Sequence, residues 1–157
     1  MTTTTTTTAA TTTAADTPDD LTAPTGDHAV THVPRDLWTW TTPEGRVLSA
    51  AAGIGALTAA TLLGGPATWT FWAGLIGPDV AFLKGLGEER AGQGALPRSA
   101  VGLYNGLHNP VAPASVLALG LATLSQPLVV GGLGWFAHIA LDRAFGFGLR
   151  RPDGHIH

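Results

Sequence analysis

Charge is missing from two long stretches of this chain: residues 47–78 and residues 99–141 contain no Asp, Glu, Lys or Arg. A helix in water needs a polar or charged outer face, and neither stretch supplies one at helical period. Hydrocarbon removes that requirement, and each stretch is long enough for two crossings of about 20 residues. The charged fraction, 12%, is about half that of an ordinary soluble domain, and most of it lies outside these stretches. The expected fold class is all-α: an integral membrane bundle of about four transmembrane helices. A buried apolar bundle in water is the alternative, and it would show charge at helical spacing.

Turn signals divide each stretch. Gly64-Gly65-Pro66 separates a helix over about 46–63 from one over about 67–86, and Ser125-Gln126-Pro127 separates about 97–124 from about 128–147. A polar loop with Glu88, Glu89 and Arg90 joins the two hairpins. Arg35 and Arg46 precede the first helix, Lys84, Arg90 and Arg98 flank the central loop, and Arg143, Arg150 and Arg151 follow the last. All fall on one side of a four-pass arrangement, so that side, with both termini, is expected to be cytoplasmic. The expected location is the cell membrane, with lipid as partner. No basic face suits nucleic acid. Trp38, Trp40, Trp69 and Trp72 read either as interfacial anchors or as ordinary packing residues. Gly102 and Gly106 read as a helix-packing pair.

Residues 1–43 are a threonine-, alanine- and proline-rich arm, with the run Thr2 to Thr8 and five aspartates against Arg35. Few large apolar residues offset the entropy of ordering it, so disorder is expected there. A signal peptide is not expected, because no basic segment and no apolar segment precede Asp16. The four-helix domain is then residues 44–157. Without cysteine, a metal would need N and O ligands.

Four groups in the apolar stretches and at their ends stand out because hydrocarbon makes them costly: Asp79, His108, His138 and Asp142. His138 and Asp142, at i and i+4, share one helix face. Counting about 1.5 Å per residue from the cytoplasmic helix ends places Asp79 and Asp142 about 8–11 Å deep and the histidines about 14–17 Å deep. One site can therefore hold all four. Two carboxylates and two imidazoles suit a divalent zinc, manganese or iron ion, and an open position with a bound water would make the site hydrolytic. The same groups could instead relay protons or ions, or lock the bundle through buried hydrogen bonds in a small assembly protein. Tyr104 and Asn105, one turn before His108, are candidate supporting residues. Arg143, beside Asp142, is another, or a snorkelling interfacial cation. Glu44 reads as a helix N-terminal charge, or with His155 as a cap over the site if the tail folds back.

Gly77-Pro78-Asp79 with Leu83, Gly85 and Leu86, then Leu103-Tyr104-Asn105-Gly106-Leu107-His108, then the run from Ala137 to Arg150 resemble the bacterial integral-membrane family catalogued as domain of unknown function 4260. Glu44-Gly45 and His155-Ile156 resemble that family's opening and closing residues. The resemblance covers residues 44–157 and implies a membrane protein. It brings no established activity.

Overall fold

The computed structural model describes residues 40–156 apart from residue 91. The arm, except for its last residues, lies outside the described residues, as do Trp38 and His157. Five α-helices follow in order: α1 (Pro43–Leu62), α2 (Trp69–Ile76), α3 (Arg98–Leu107), α4 (Val111–Ala122) and α5 (Gln126–Phe145), with 3₁₀ segments at Gly65–Ala67 and Gly77–Gly85. Among the described residues there is no strand, only an isolated bridge between Arg150 and Ile156. The expected helical class is what the chain adopts.

The Thr42 hydroxyl caps α1 by accepting the N–H of Gly45 at 3.1 Å, and Pro43 occupies the first helical turn, where its missing N–H loses no bond. Two helices, α1 and α5, are long and apolar enough to cross a membrane. The other two expected crossings are each interrupted at a proline. Residues 67–86 become α2 and then a 3₁₀ segment from Gly77, because Pro78 cannot donate back and its ring crowds the preceding turn. Residues 97–124 become α3 and α4. At that break the Asn109 side chain takes the N–H of Val111 at 3.0 Å, and Pro110 cannot continue the ladder of α3.

The central element is α5, which packs against α1, α2 and α4. Its buried positions include Gly132, Gly134, Ala137 and Ala140, small enough for backbones to meet. A Cβ on Gly74 of α2 would run into the Gly131 carbonyl, and one on Gly132 would stand 2.8 Å from the Leu117 side chain. Gly102 and Gly106, expected to make such a contact, do not: no neighbouring atom lies within 4 Å of either Cβ position. Outward, large apolar side chains are bare, among them Leu62 at 83% and Leu124 at 91% exposure.

The interruption after α3 is tied to α5. Helix C-termini leave carbonyls without partners, and here side chains of α5 supply them: Trp135 Nε1 donates to Leu107 O at 2.7 Å and Arg143 Nη2 to His108 O at 3.3 Å. Beyond α5, Gly146 takes the left-handed conformation that closes a helix, with φ of 89°. The tail then returns to α3. The Asn105 amide pairs with the Arg150 backbone in both directions, accepting its N–H at 2.7 Å and donating to its carbonyl at 2.8 Å.

Candidate metal centre

Each of the two histidines has one ring nitrogen committed to a carbonyl. His138 Nδ1 lies 2.9 Å from Leu75 O, and His108 Nδ1 lies 2.9 Å from Tyr104 O. A carbonyl only accepts, so both Nδ1 atoms carry protons and, in the neutral rings, both Nε2 atoms present lone pairs. The proline at 78 explains why Leu75 is available. In the 3₁₀ pairing of that segment the donor to Leu75 O would be residue 78, and proline has no N–H. For His108, one carbonyl serves twice, because Tyr104 O also accepts the His108 backbone N–H at 2.8 Å. The Tyr104 ring stacks on the His108 imidazole with centroids 3.8 Å apart, which fixes the ring plane.

Those two lone pairs converge. His108 Nε2 and His138 Nε2 are 3.2 Å apart. Asp142 Oδ2 stands 3.3 Å from the first and 3.6 Å from the second, and Asp79 Oδ1 stands 3.9 Å and 3.5 Å from them. Asp79, His108 and His138 each offer a ligand atom within 4.8 Å of the others, so this group could hold a metal ion, and Asp142 adds a carboxylate beside both imidazoles. Tetrahedral ligands at about 2.0–2.1 Å from an ion are separated by about 3.3–3.4 Å. The observed nitrogen–nitrogen and shorter nitrogen–oxygen separations fall near that edge. Four acceptors facing one another with no donor among them repel, and a cation or a proton relieves this. His108 is buried, His138 nearly so, and the Asp79 side chain is 46% exposed.

The exposed side of Asp79 opens on a cavity of about 480 Å³, whose wall also holds Asp142, Tyr104, Arg90 and Arg150. Its other walls come from the 3₁₀ segment, the loop before α3, and the tail at Phe147. The two carboxylates of the cluster thus face a pocket of ordinary small-molecule size.

Of the candidate supporting residues, Tyr104 touches the cluster through its ring and its carbonyl, and Arg143 through the His108 carbonyl. The Arg143 guanidinium also lies 3.9 Å over the Trp40 ring, so it is held inside the fold instead of snorkelling outward. Asn105 does not reach the cluster; it holds the tail. Glu44 is exposed in the first turn of α1. His155 pairs with Asp153 at 3.5 Å, away from the ligands. The backbone N–H of His155, and then the nearby Arg151 and His155 charges, hold the Asp153 carboxyl below its usual range. The tail does fold back, but Arg150, not His155, is the residue it brings to the cavity. Trp135 and the Leu75 carbonyl were not legible as parts of this centre. An indole far along α5 gives no sequence sign that it will donate to Leu107 O, and a carbonyl has no side-chain identity.

A family model described as "Domain of unknown function (DUF4260)" matches residues 46–157. No curated protein and no solved structure matches the chain.

Proposed function

Because the chain belongs to the DUF4260 family, whose domain is uncharacterised, we propose its function from its own residues: a membrane-embedded hydrolase dependent on one divalent metal ion. Asp79, His108, His138 and Asp142 are the ligands, with zinc, manganese or iron as the candidate ions. The observation that carries this reading is the convergence of both imidazole Nε2 lone pairs and two carboxylates, with both Nδ1 protons engaged on carbonyls. Such Nδ1–H bonds orient metal-binding imidazoles and raise their basicity.

A bound divalent ion would lower the pKa of a water molecule and polarise an ester or phosphoester. One water would be consumed: its oxygen joins the acyl carbon or phosphorus, the bond from that atom to the leaving oxygen breaks, and the leaving oxygen takes one of the water protons while the other goes to the acid product or to solvent. Asp79, the exposed one of the four, would give up its place to that water and take its first proton. The membrane setting is supported by α1 and α5, whose apolar windows are only 22% and 33% buried within the chain, too little for core helices of a soluble protein. The outward apolar side chains agree with it. In this reading α2 with its 3₁₀ segment, and α3 with α4, make the other two passes. Both termini and the cavity mouth lie on the cytoplasmic side, and residues 1–43 are an appended arm. Intramembrane protein in irregular conformation is tolerated where it lines a site, which suits both proline breaks.

A second reading rests on the 3.2 Å between the Nε2 atoms: a single proton shared by the imidazoles would also relieve the cluster and would serve a relay. Elemental analysis of the full-length protein in detergent separates the two. One equivalent of transition metal in the wild type, lost in folded His138→Ala, is the expected result. A folded wild type that takes up no metal on incubation with zinc, manganese or iron(II) would overturn the hydrolase reading in favour of the shared proton.

A further inference from the structure

Charge in the cavity is unbalanced once the metal centre is taken into account. Two aspartates offset one divalent ion, and the remaining charged groups on the wall are Arg90 and Arg150. Among the described residues neither forms an ion pair. Arg150 is 7% exposed, and its partners are neutral: Nη1 donates to Gly94 O at 2.7 Å and to Gly154 O at 3.4 Å, and the guanidinium carbon lies 5.4 Å from the centre of the Tyr104 ring. Its Nε–H has no partner at all. A buried guanidinium with no counter-charge is costly, and an oxyanion in the cavity that Arg150 lines would supply the missing charge.

The walls specify the remainder of the ligand. Phe82, Leu86 and Phe147 line the same cavity and are themselves exposed, so its mouth is apolar on the outside. A polar inner end and an apolar mouth fit an amphiphile lying head inward. Two arginines match the charge of a phosphate monoester, about −1.5 to −2 near neutral pH, better than the single charge of a carboxylate.

We propose that the cavity binds an alkyl phosphate of the lipid class, with its phosphate on Arg150 and Arg90 beside the Asp79/Asp142 end and its chain leaving past Phe82, Leu86 and Phe147. That this ligand is the substrate, and that the wall as a whole is short of negative charge, rest on the metal centre of the hydrolase reading; the buried and unpaired Arg150 guanidinium does not.

The test is calorimetric titration of the full-length chain in a nonionic detergent with dodecyl phosphate, dodecanoate, dodecyltrimethylammonium and inorganic phosphate, with and without a chelator. Saturable one-to-one binding of dodecyl phosphate is expected, at least about tenfold tighter than dodecanoate or inorganic phosphate and with no binding of the cationic amphiphile. Arg150 also anchors the tail, so Arg90→Gln, which removes an exposed residue, carries the mutational arm and should weaken dodecyl phosphate about tenfold. Equal binding of the cationic amphiphile would show mere partitioning and overturn the proposal. Inorganic phosphate or dodecanoate as tight as dodecyl phosphate would overturn it too, as would an unchanged Arg90→Gln. Metal uptake without dodecyl phosphate binding overturns this inference alone. Dodecyl phosphate binding by a protein that takes up no metal supports it while the hydrolase reading falls.

Discussion

At Arg143 one side chain does two jobs: it caps the His108 carbonyl from α5 and lies over Trp40. Losing the first contact loosens the turn that aims His108 Nε2 while leaving all four clustered side chains in place. Arg143→Ala is therefore expected to lower metal affinity by roughly 10–100-fold, the usual effect of removing an orienting partner. A competitive chelator titration reads this, and an unchanged affinity would show that the Tyr104 carbonyl and ring orient His108 without help. The four clustered groups stood out at this scale because hydrocarbon makes each of them conspicuous. His138 and Asp142 declared a shared face by spacing, and depth counting joined His108 and Asp79 to them. What the chain concealed were partners with no chemical signature in sequence: the Leu75 and Tyr104 carbonyls. Arg143 was left between two readings for a related reason, since a cation at a helix end looks the same whether it reaches outward or caps a neighbour.

Among the elements, the two continuous helices were readable from length and apolarity, and the two broken ones were drawn too long. Gly77-Pro78 and Asn109-Pro110 marked the breaks, yet proline inside an apolar run is compatible with a kink as well as a stop. Which outcome follows depends on partners for the freed carbonyls, and those come from α5. Pro78→Ala tests this link. A restored N–H at 78 would compete with the His138 imidazole for Leu75 O, so metal affinity should fall by roughly tenfold or more while helix content stays constant. No change in affinity would break the proposed link between the proline and the site. A second turn offers a stabilising substitution. Leu124, between α4 and α5, holds φ at 52°, a conformation costing roughly 1–2 kcal/mol for an L-residue, and its side chain is almost entirely bare. Glycine relieves that cost but loses about 0.5–1 kcal/mol in chain entropy. Leu124→Gly should thus raise stability by roughly 0.5–1 kcal/mol, read as a higher thermal midpoint; a lower midpoint would mean that Leu124 packs against something outside this chain.

For the whole molecule, the four-pass reading makes demands that the fold alone does not meet. Reporters fused after Gly94 and at Gly65 should fall on opposite sides of the membrane, the first cytoplasmic, because the basic residues accompany the first and are missing from the second. A cytoplasmic Gly65 reporter would remove that topology. Deleting residues 1–36 should leave insertion and metal content unaltered, since the fold's nearest described anchor is Trp40, against Arg143 and Gly148; loss of inserted protein would make the arm part of the structure.

The position of α5 bears on how the protein is made. It contributes two of the four clustered groups, His138 and Asp142, and is the helix against which α1, α2 and α4 pack, yet it is translated after all of them. At about 5–20 residues per second, Asp79 and His108 are synthesised seconds before their partners on α5. During that interval the nascent chain holds an aspartate and an imidazole with nothing to neutralise them, which favours a sheltered stay at the insertion machinery over early release into lipid. Stalled chains in which a C-terminal linker has carried residues up to 125 out of the ribosome should accordingly crosslink to that machinery, and chains in which the linker has carried out residues up to 150 should not.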